Sequence, residues 1–346
     1  MGIKAYRYLL GTVVCCAQAM FGTAYAQEGR DSSRFDDLVF YDLSHTVPLF
    51  APLNGDSTTS DINTPINESK PVAASGTKMG VRDKKPDIPM ENGVIGWGYI
   101  HLDEHYSTHI DSTDHHRTTN KALMTVKNPD ERSVDEFSVE ELVGPIVYID
   151  ISKRVNTELA KNGGIPSPDV KITNFDDDSG NNVSARDIDA VKDQITDGAF
   201  IVLNVAWERF YAWPPRSSNN WEHPYNNSLN YPGLTSDAVD RLVEIEQEKG
   251  IKIGGFVANN VGVESGQSLR GDKVDRANIK TEGFGMYLHA VGSPRGWKIV
   301  ENAANLDPLA AHEPGECFLI IGALKLVGAS GSPARLIAMC SKLSVK

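Results

Sequence analysis

The sequence predicts an α/β fold: a mixed sheet with helices packed against it and long loop insertions. Three observations predict it. Apolar runs rich in β-branched and aromatic residues, at 38–44, 94–102, 146–151 and 199–207, have the length and composition of strands, and 251–263 reads as a strand and loop. Segments with helical spacing or a capped start lie between them, at 138–145, 185–195 and 231–249, and such alternation belongs to α/β architectures. Polar stretches at 57–92 and 156–182 are too long and aperiodic to be simple turns, so they read as insertions.

Before the first strand, Lys4 and Arg7 precede an apolar run over residues 8–21, and Ala24-Tyr25-Ala26 is a small-x-small site ahead of Gln27. This pattern predicts a secretory signal peptide over 1–26, a polar leader over 27–37 and a folded domain over 38–346. No later stretch approaches eighteen continuous apolar residues, so the mature chain is expected to be exported without a membrane span. Loss of Lys4 and Arg7 takes the formal charge from −12 to −14. An acidic chain argues against nucleic acid or an anionic membrane as a partner. Cys15 and Cys16 leave with the leader, and whether the remaining Cys317 and Cys340 pair depends on a distance that sequence does not give. Some 320 residues allow one α/β domain with insertions or two domains.

Taken in order, 38–44 is the first strand, 57–92 a long loop or flap, and 94–102 a strand leading into a histidine cluster. Residues 138–145 form a short capped helix entering the strand at 146–151, and 185–195 is a helix before the most apolar strand, 199–207. Aromatic residues then crowd together at Phe210, Tyr211, Trp213 and Trp221, either as a packed loop or as a wall for substrate. The helix ending near Lys249 precedes a strand whose Gly254-Gly255-Phe256-Val257-Ala258-Asn259-Asn260 lacks the spacing of a nucleotide fingerprint. No G-x-S-x-G occurs, which argues against a serine hydrolase.

Five of the nine histidines fall between residues 101 and 116, with carboxylates interleaved. Imidazole and carboxylate are the side chains that Zn²⁺ and Mn²⁺ accept, so His105-x-x-x-His109-x-Asp111 reads as a metal site, with a solvated polar loop as the other reading. On one helix, Asp111 would lie about 240° round from His105. On one strand, His105 and His109 would be about 13 Å apart. Joint ligation therefore needs a bend near Ser107-Thr108. His101 offers another metal register but sits at a strand end beside Asp103 and Glu104, and His45 follows the first strand closely enough to approach the site.

The stretch from His105 to His115 resembles the signature His-x-Gly-Thr-His-x-Asp-x-Pro-x-His of the metal-dependent cyclase-like hydrolases, which include bacterial kynurenine formamidases and isatin hydrolases. Ser107 stands where the family has glycine and Thr113 where it has proline, while Asp114 and His116 flank the last histidine. Tyr41-Asp-Leu-Ser, Gly55-Asp56, Leu142-Val-Gly-Pro, Pro232-Gly-Leu-Thr and Gly328-Ala-Ser-Gly-Ser-Pro also resemble family segments. Most telling is the pair His289 and Glu301, twelve residues apart, the latter in Ile299-Val-Glu-Asn-Ala-Ala-Asn-Leu. The likeness spans about 38–342 and implies one compact swivelling β/β/α-type domain.

What the resemblance implies for the site is a centre of two divalent ions, Zn²⁺ or Mn²⁺, held by His105, His109, Asp111, His289 and Glu301, with Asp111 as the bridge. His115 takes the place of the family's catalytic histidine, moving a proton between water and leaving group, and His116 competes for that role. Leu53 replaces a tryptophan that formamidases set against an aromatic substrate. The expectation is thus an exported metal-dependent amidohydrolase acting on non-peptide C–N bonds, with an isatin-like lactam or arylformamide as substrate. A lactonase, or a periplasmic metal- or ligand-binding protein without turnover, is the alternative. The resemblance also implies a homodimer.

Overall fold

A computed structural model describes residues 36–46, 81–84, 88–90, 93–95, 98–117, 126–166, 175, 179–211, 225, 230–266 and 286–343. The chain divides into two units, Met1–Val39 and Phe40–Lys346, and the second carries the fold. The expected signal peptide lies outside the described residues, as do Leu53, Trp213 and Trp221.

Seven strands close a mixed barrel. In the order β12 (Gly331–Ser341), β11 (Cys317–Ala323), β7 (Val143–Asp150), β8 (Phe200–Asn204), β9 (Gly255–Ala258), β10 (Lys298–Glu301) and β6 (His109–Asp111), each pairs with the next, and β6 pairs back to β12. β7, β8, β9 and β10 run parallel to one another. The remaining joints are antiparallel. β1 (Leu38–Asp42) adds to β12 as an eighth strand, and β2 (Val81–Lys84), β3 (Ile88–Met90), β4 (Gly93–Ile95) and β5 (Gly98–His101) form two separate ladders, β2 with β5 and β3 with β4. The α/β expectation is met, with the sheet closed on itself rather than open.

The parallel strands are covered on their outer face by helices, which is why they read as continuous apolar runs. Every residue of β8 is buried. Helices α1 (Ser152–Ala160), α2 (Ala185–Val191), α3 (Ser236–Lys249) and α4 (Tyr287–Gly292) contribute Val155, Leu159, Ile188, Leu242, Ile245 and Leu288 to one core with Val147, Ile149, Ile201, Leu203, Phe256 and Ile299. α3 starts after Thr235, which is extended and whose hydroxyl donates to the Val183 carbonyl, and stops at Gly250, whose left-handed φ of 64° ends the helix.

Several local expectations are corrected. Residues 138–145 are not a helix: two single 3₁₀ turns, Val134–Glu136 and Glu140–Leu142, precede β7, whose pairing with β11 already includes Val143, Gly144 and Pro145. The polar insertion expected from 156 begins inside α1, where Val155 and Leu159, four residues apart, give the helix one buried stripe. In the strand expected at 94–102 the described residues belong to β4 and β5, and in the expected flap Val81–Lys84 and Ile88–Met90 pair with them as strands β2 and β3. The helix at 185–195 changes to a 3₁₀ turn at Lys192–Gln194.

Candidate metal centre

β6 is only three residues long, yet it closes the barrel, because both of its edges are paired. Glu301 of β10 lies opposite His109, and Ile299 opposite Asp111. On the other edge Gly331 and Pro333 of β12 lie opposite Asp111 and His109. Side chains alternate across a strand, so His109, Asp111, Ile299 and Glu301 share one face, while Ile110 and Val300 point to the other. α4 supplies His289 to the first face, where its Nε2 lies 3.3 Å from Asp111 Oδ2.

His105 comes from the loop before β6 and reaches Asp111 because the backbone turns at Ser107, where φ is +60°. This is the bend that joint ligation required, made by a residue that disfavours the left-handed region. The turn aims the Ser107 carbonyl at two donors, the Nδ1–H of His109 at 2.9 Å and the side-chain amide of Asn302 at 2.9 Å. Thr108 ties the loop down by accepting from the His45 N–H at 2.8 Å and donating to the Asn302 carbonyl at 2.6 Å. Room for the His105 ring comes from Gly331: a Cβ there would lie within 2.8 Å of both ring nitrogens.

Six predicted side chains therefore converge. His105 Nδ1 is 2.7 Å from Asp111 Oδ1. His109 Nε2 is 3.3 Å from Asp111 Oδ1 and 3.7 Å from Glu301 Oε2. His289 Nε2 is 3.7 Å from Glu301 Oε1. The His115 ring lies 4.0 Å from that of His105 and 6.1 Å from that of His289, measured between centroids. Donor atoms fall into two overlapping triads, His105–Asp111–His115 and His109–Asp111–Glu301, each with its atoms within 4.8 Å of one another. Asp111 is common to both, and His115 offers a donor atom to the first.

Burial and mutual charge shift these groups. Burial would raise the Asp111 carboxyl, but the charge of His115 and hydrogen bonds from His105, His109 and His289 hold it well below the ordinary carboxylate range. Burial first, and the Asp111 charge next, push Glu301 well above its ordinary value. For His289, burial opposes protonation and is outweighed by the charge of Glu264 and the hydrogen bond with Asp111, so its pKa is raised. His115 keeps an edge open to solvent. Burial of the rest of its ring, helped by the charges of His105, His289 and His109 against the pull of Asp111, lowers it to about 4, so it is neutral at pH 7.

The donor set fits divalent cations. The Nδ1 atoms of His109 and His289 are engaged by the Ser107 carbonyl and the Glu264 carboxylate, which turns both Nε2 lone pairs toward Asp111 and Glu301. Lone pairs facing carboxylate oxygens at 3.3–3.7 Å repel unless a cation or a proton lies between them.

Three contributors had no place in the sequence reading. Ser330 Oγ lies 3.0 Å from His105 Nε2, Glu264 Oε1 lies 2.8 Å from His289 Nδ1, and Asn302 holds the Ser107 turn. Asn302 had a signal in its place next to Glu301 and Ser330 in the segment Gly328-Ala-Ser-Gly-Ser-Pro, whereas Glu264 had none. The His116 ring lies 6.2 Å from that of His289, about as near as the His115 ring, but His116 is in neither donor triad. His45 stays out of the cluster, stacked on Tyr211 at 3.8 Å. Phe210 is core and Tyr211 half-buried, so at those two positions the aromatics pack. The His101 side chain lies outside the described residues.

A family model described as "Putative cyclase" matches residues 41–256. No curated protein sequence matches the chain. Isatin hydrolase A from Labrenzia aggregata, bound to benzyl benzoate, is 21% identical with a TM-score of 0.54, over 95% of this chain and 100% of that one. An isatin hydrolase bound to the product analogue thioisatinate is 18% identical with a TM-score of 0.52, over 98% and 100%. Isatin hydrolase A from Ralstonia solanacearum is 18% identical with a TM-score of 0.50, over 99% and 100%. At these identities the likeness is one of fold.

Proposed function

Since this chain belongs to the cyclase family, we propose that it is an exported metal-dependent hydrolase that opens the C–N bond of a cyclic or aryl amide, an isatin-like lactam or an arylformamide. The observation that carries this reading is the pair of overlapping triads sharing Asp111. His105, His109, Asp111, His289 and Glu301 are the residues that would hold two divalent ions, Zn²⁺ or Mn²⁺, both of which accept mixed imidazole and carboxylate donors. Such ions supply Lewis acidity, polarising a carbonyl and acidifying water.

The chain's own residues do the rest. Asp111 and Glu301 fix the approach of donors from two strands. His115, neutral at pH 7 and open on one edge, takes the proton of the attacking water and returns it to the leaving nitrogen. Export is supported by the leader pattern of residues 1–26 and by the disulfide between Cys317 and Cys340, since such bonds persist in oxidising compartments. A homodimer is supported by the outer face of the β7–β11–β12 sheet, where Val143 and Phe318 are exposed and Ile320, Ile337 and Met339 are half-buried.

The test is a panel of small lactams, arylformamides and lactones, assayed on protein loaded with Zn²⁺ or Mn²⁺. Amide opening is expected, lost on chelation and reduced roughly 10²–10⁴-fold in His115→Ala. Hydrolysis that survives both chelation and His115→Ala rules the mechanism out. Turnover confined to lactones shifts the substrate class, and two bound ions without turnover on any member leaves a binding protein.

A further inference from the structure

We propose that Glu264 is a positioning residue of the metal centre: its carboxylate fixes which nitrogen of His289 faces Asp111 and Glu301, and the segment 232–235 holds it in place. The inference rests on the reading of His289 as a metal ligand.

Glu264 is buried, 2% exposed, and its Oε1 lies 2.8 Å from His289 Nδ1. An imidazole that donates its Nδ1–H to a carboxylate carries its lone pair on Nε2. In His289 that is the nitrogen 3.3 Å from Asp111 Oδ2 and 3.7 Å from Glu301 Oε1. The ring itself is 1% exposed and has Glu264 on one side and the two other carboxylates on the opposite one. His109 is held by the same device with a neutral acceptor, the Ser107 carbonyl. A carboxylate is costly to bury, so at His289 it supplies something a carbonyl does not. It makes the imidazole a stronger donor to a cation and adds a third carboxyl group to the pocket of Asp111 and Glu301.

The backbone around Glu264 is pinned from both sides. The Leu234 N–H donates to the Val263 carbonyl, and the Ser265 N–H to the Leu234 carbonyl, each at 2.9 Å. Gly233 lets the two segments touch: a Cβ there would lie 2.6 Å from the Ser265 nitrogen and closer still to the Glu264 carbonyl. Gly233 is in turn held by its N–H to Asn182 Oδ1 at 3.2 Å and by its carbonyl from the Val183 N–H at 2.9 Å. The Pro232-Gly233-Leu234-Thr235 segment, which makes no contact of its own with the cluster through these bonds, thus carries the carboxylate that aims His289.

Two variants of matched size separate aim from bulk. Glu264→Met fills the same space without an acceptor, and Glu264→Gln keeps an oxygen for the Nδ1–H. Zinc affinity of the full-length protein is measured by competition with a chromophoric chelator, with far-ultraviolet circular dichroism as the control for folding. Expected is a loss of about 10–100-fold in Glu264→Met and a smaller loss in Glu264→Gln. Wild-type affinity in Glu264→Met, or a glutamine variant no better than the methionine one, overturns the proposal.

A second readout needs no metal. Side-chain ¹⁵N spectra of the zinc-free protein at alkaline pH report the tautomer of His289, expected as Nδ1–H in wild type and Glu264→Gln and mixed in Glu264→Met. If wild type binds no zinc, the reading of His289 as a ligand has failed, while these spectra still decide whether Glu264 sets the tautomer. An unchanged tautomer in Glu264→Met overturns it.

Discussion

Ser107 and the histidines set what single residues contribute. A left-handed φ of +60° at a serine costs on the order of 1–2 kcal/mol. Ser107→Gly, which restores the residue of the resembling signature, is expected to be neutral or stabilising by up to about 1 kcal/mol. Ser107→Val, β-branched and fully buried, is expected to destabilise by more than about 2 kcal/mol. Urea denaturation of both variants checks this, and equal stability would show that the turn is unstrained. The histidines make stability pH-dependent with two opposite signs. His45 and His115, lowered by burial to about 4, contribute stability that is present above 6.5 and lost as pH falls toward 4. In His105 and His289 burial opposes the charged form, but the hydrogen bond with Asp111 in the first, and the charge of Glu264 in the second, raise the pKa. Their contribution is complete below 6.5 and is lost as pH rises through the raised values. The metal-free protein is therefore expected to melt highest near pH 6.5. Zn²⁺ or Mn²⁺ binds neutral imidazole and should abolish the alkaline decline. Melting curves from pH 4 to 9, with and without metal, would expose an error if the alkaline limb ignored the ion.

Strand β6 is an element whose smallness matters: three residues present two site side chains and also close the barrel. Its partner β12 opens with Gly331, directly opposite Asp111, and that glycine leaves the space His105 occupies. Gly331→Ala is expected to displace the His105 ring and weaken metal binding by about tenfold or more, while the fold survives because the obstruction is a side chain able to move. Equilibrium dialysis against zinc, beside a thermal melt, distinguishes this from unfolding. Retained affinity with a normal melt would mean that His105 is not a ligand. Elements of this size are hard to read in a sequence. The histidine spacing ruled out a lone helix or strand and asked for a bend, yet it did not show that the bend is a left-handed serine braced by Asn302, because that bracing crosses 195 positions.

At the scale of the whole molecule, Cys317 and Cys340 face each other across β11 and β12 and are bonded. They close a loop of 23 positions, so the double Cys→Ser variant is expected to lose about 3 kcal/mol, read from denaturant midpoints. No change would mean the hairpin is as ordered when reduced. The exposed Phe318 lies on the apolar outer face of the same hairpin, and Phe318→Lys is expected to convert a dimer to a monomer in light scattering; a wild-type monomer refutes the dimer. By itself the sequence determined the α/β class, the apolar strands at 146–151 and 199–207, and the donor cluster of His105, His109 and Asp111, since strand composition and donor chemistry are local properties, while His289 and Glu301 were singled out only through the family resemblance. It also placed His115 four residues beyond Asp111. Only the tertiary structure decided that the sheet closes through β6, that Cys317 meets Cys340, and that Glu264 and Ser330 stand behind the histidines. Those relations depend on which strand edge or loop lies beside which. That is fixed by pairing and packing between distant segments, and a glutamate 25 positions before His289 carries no mark of it in the chain.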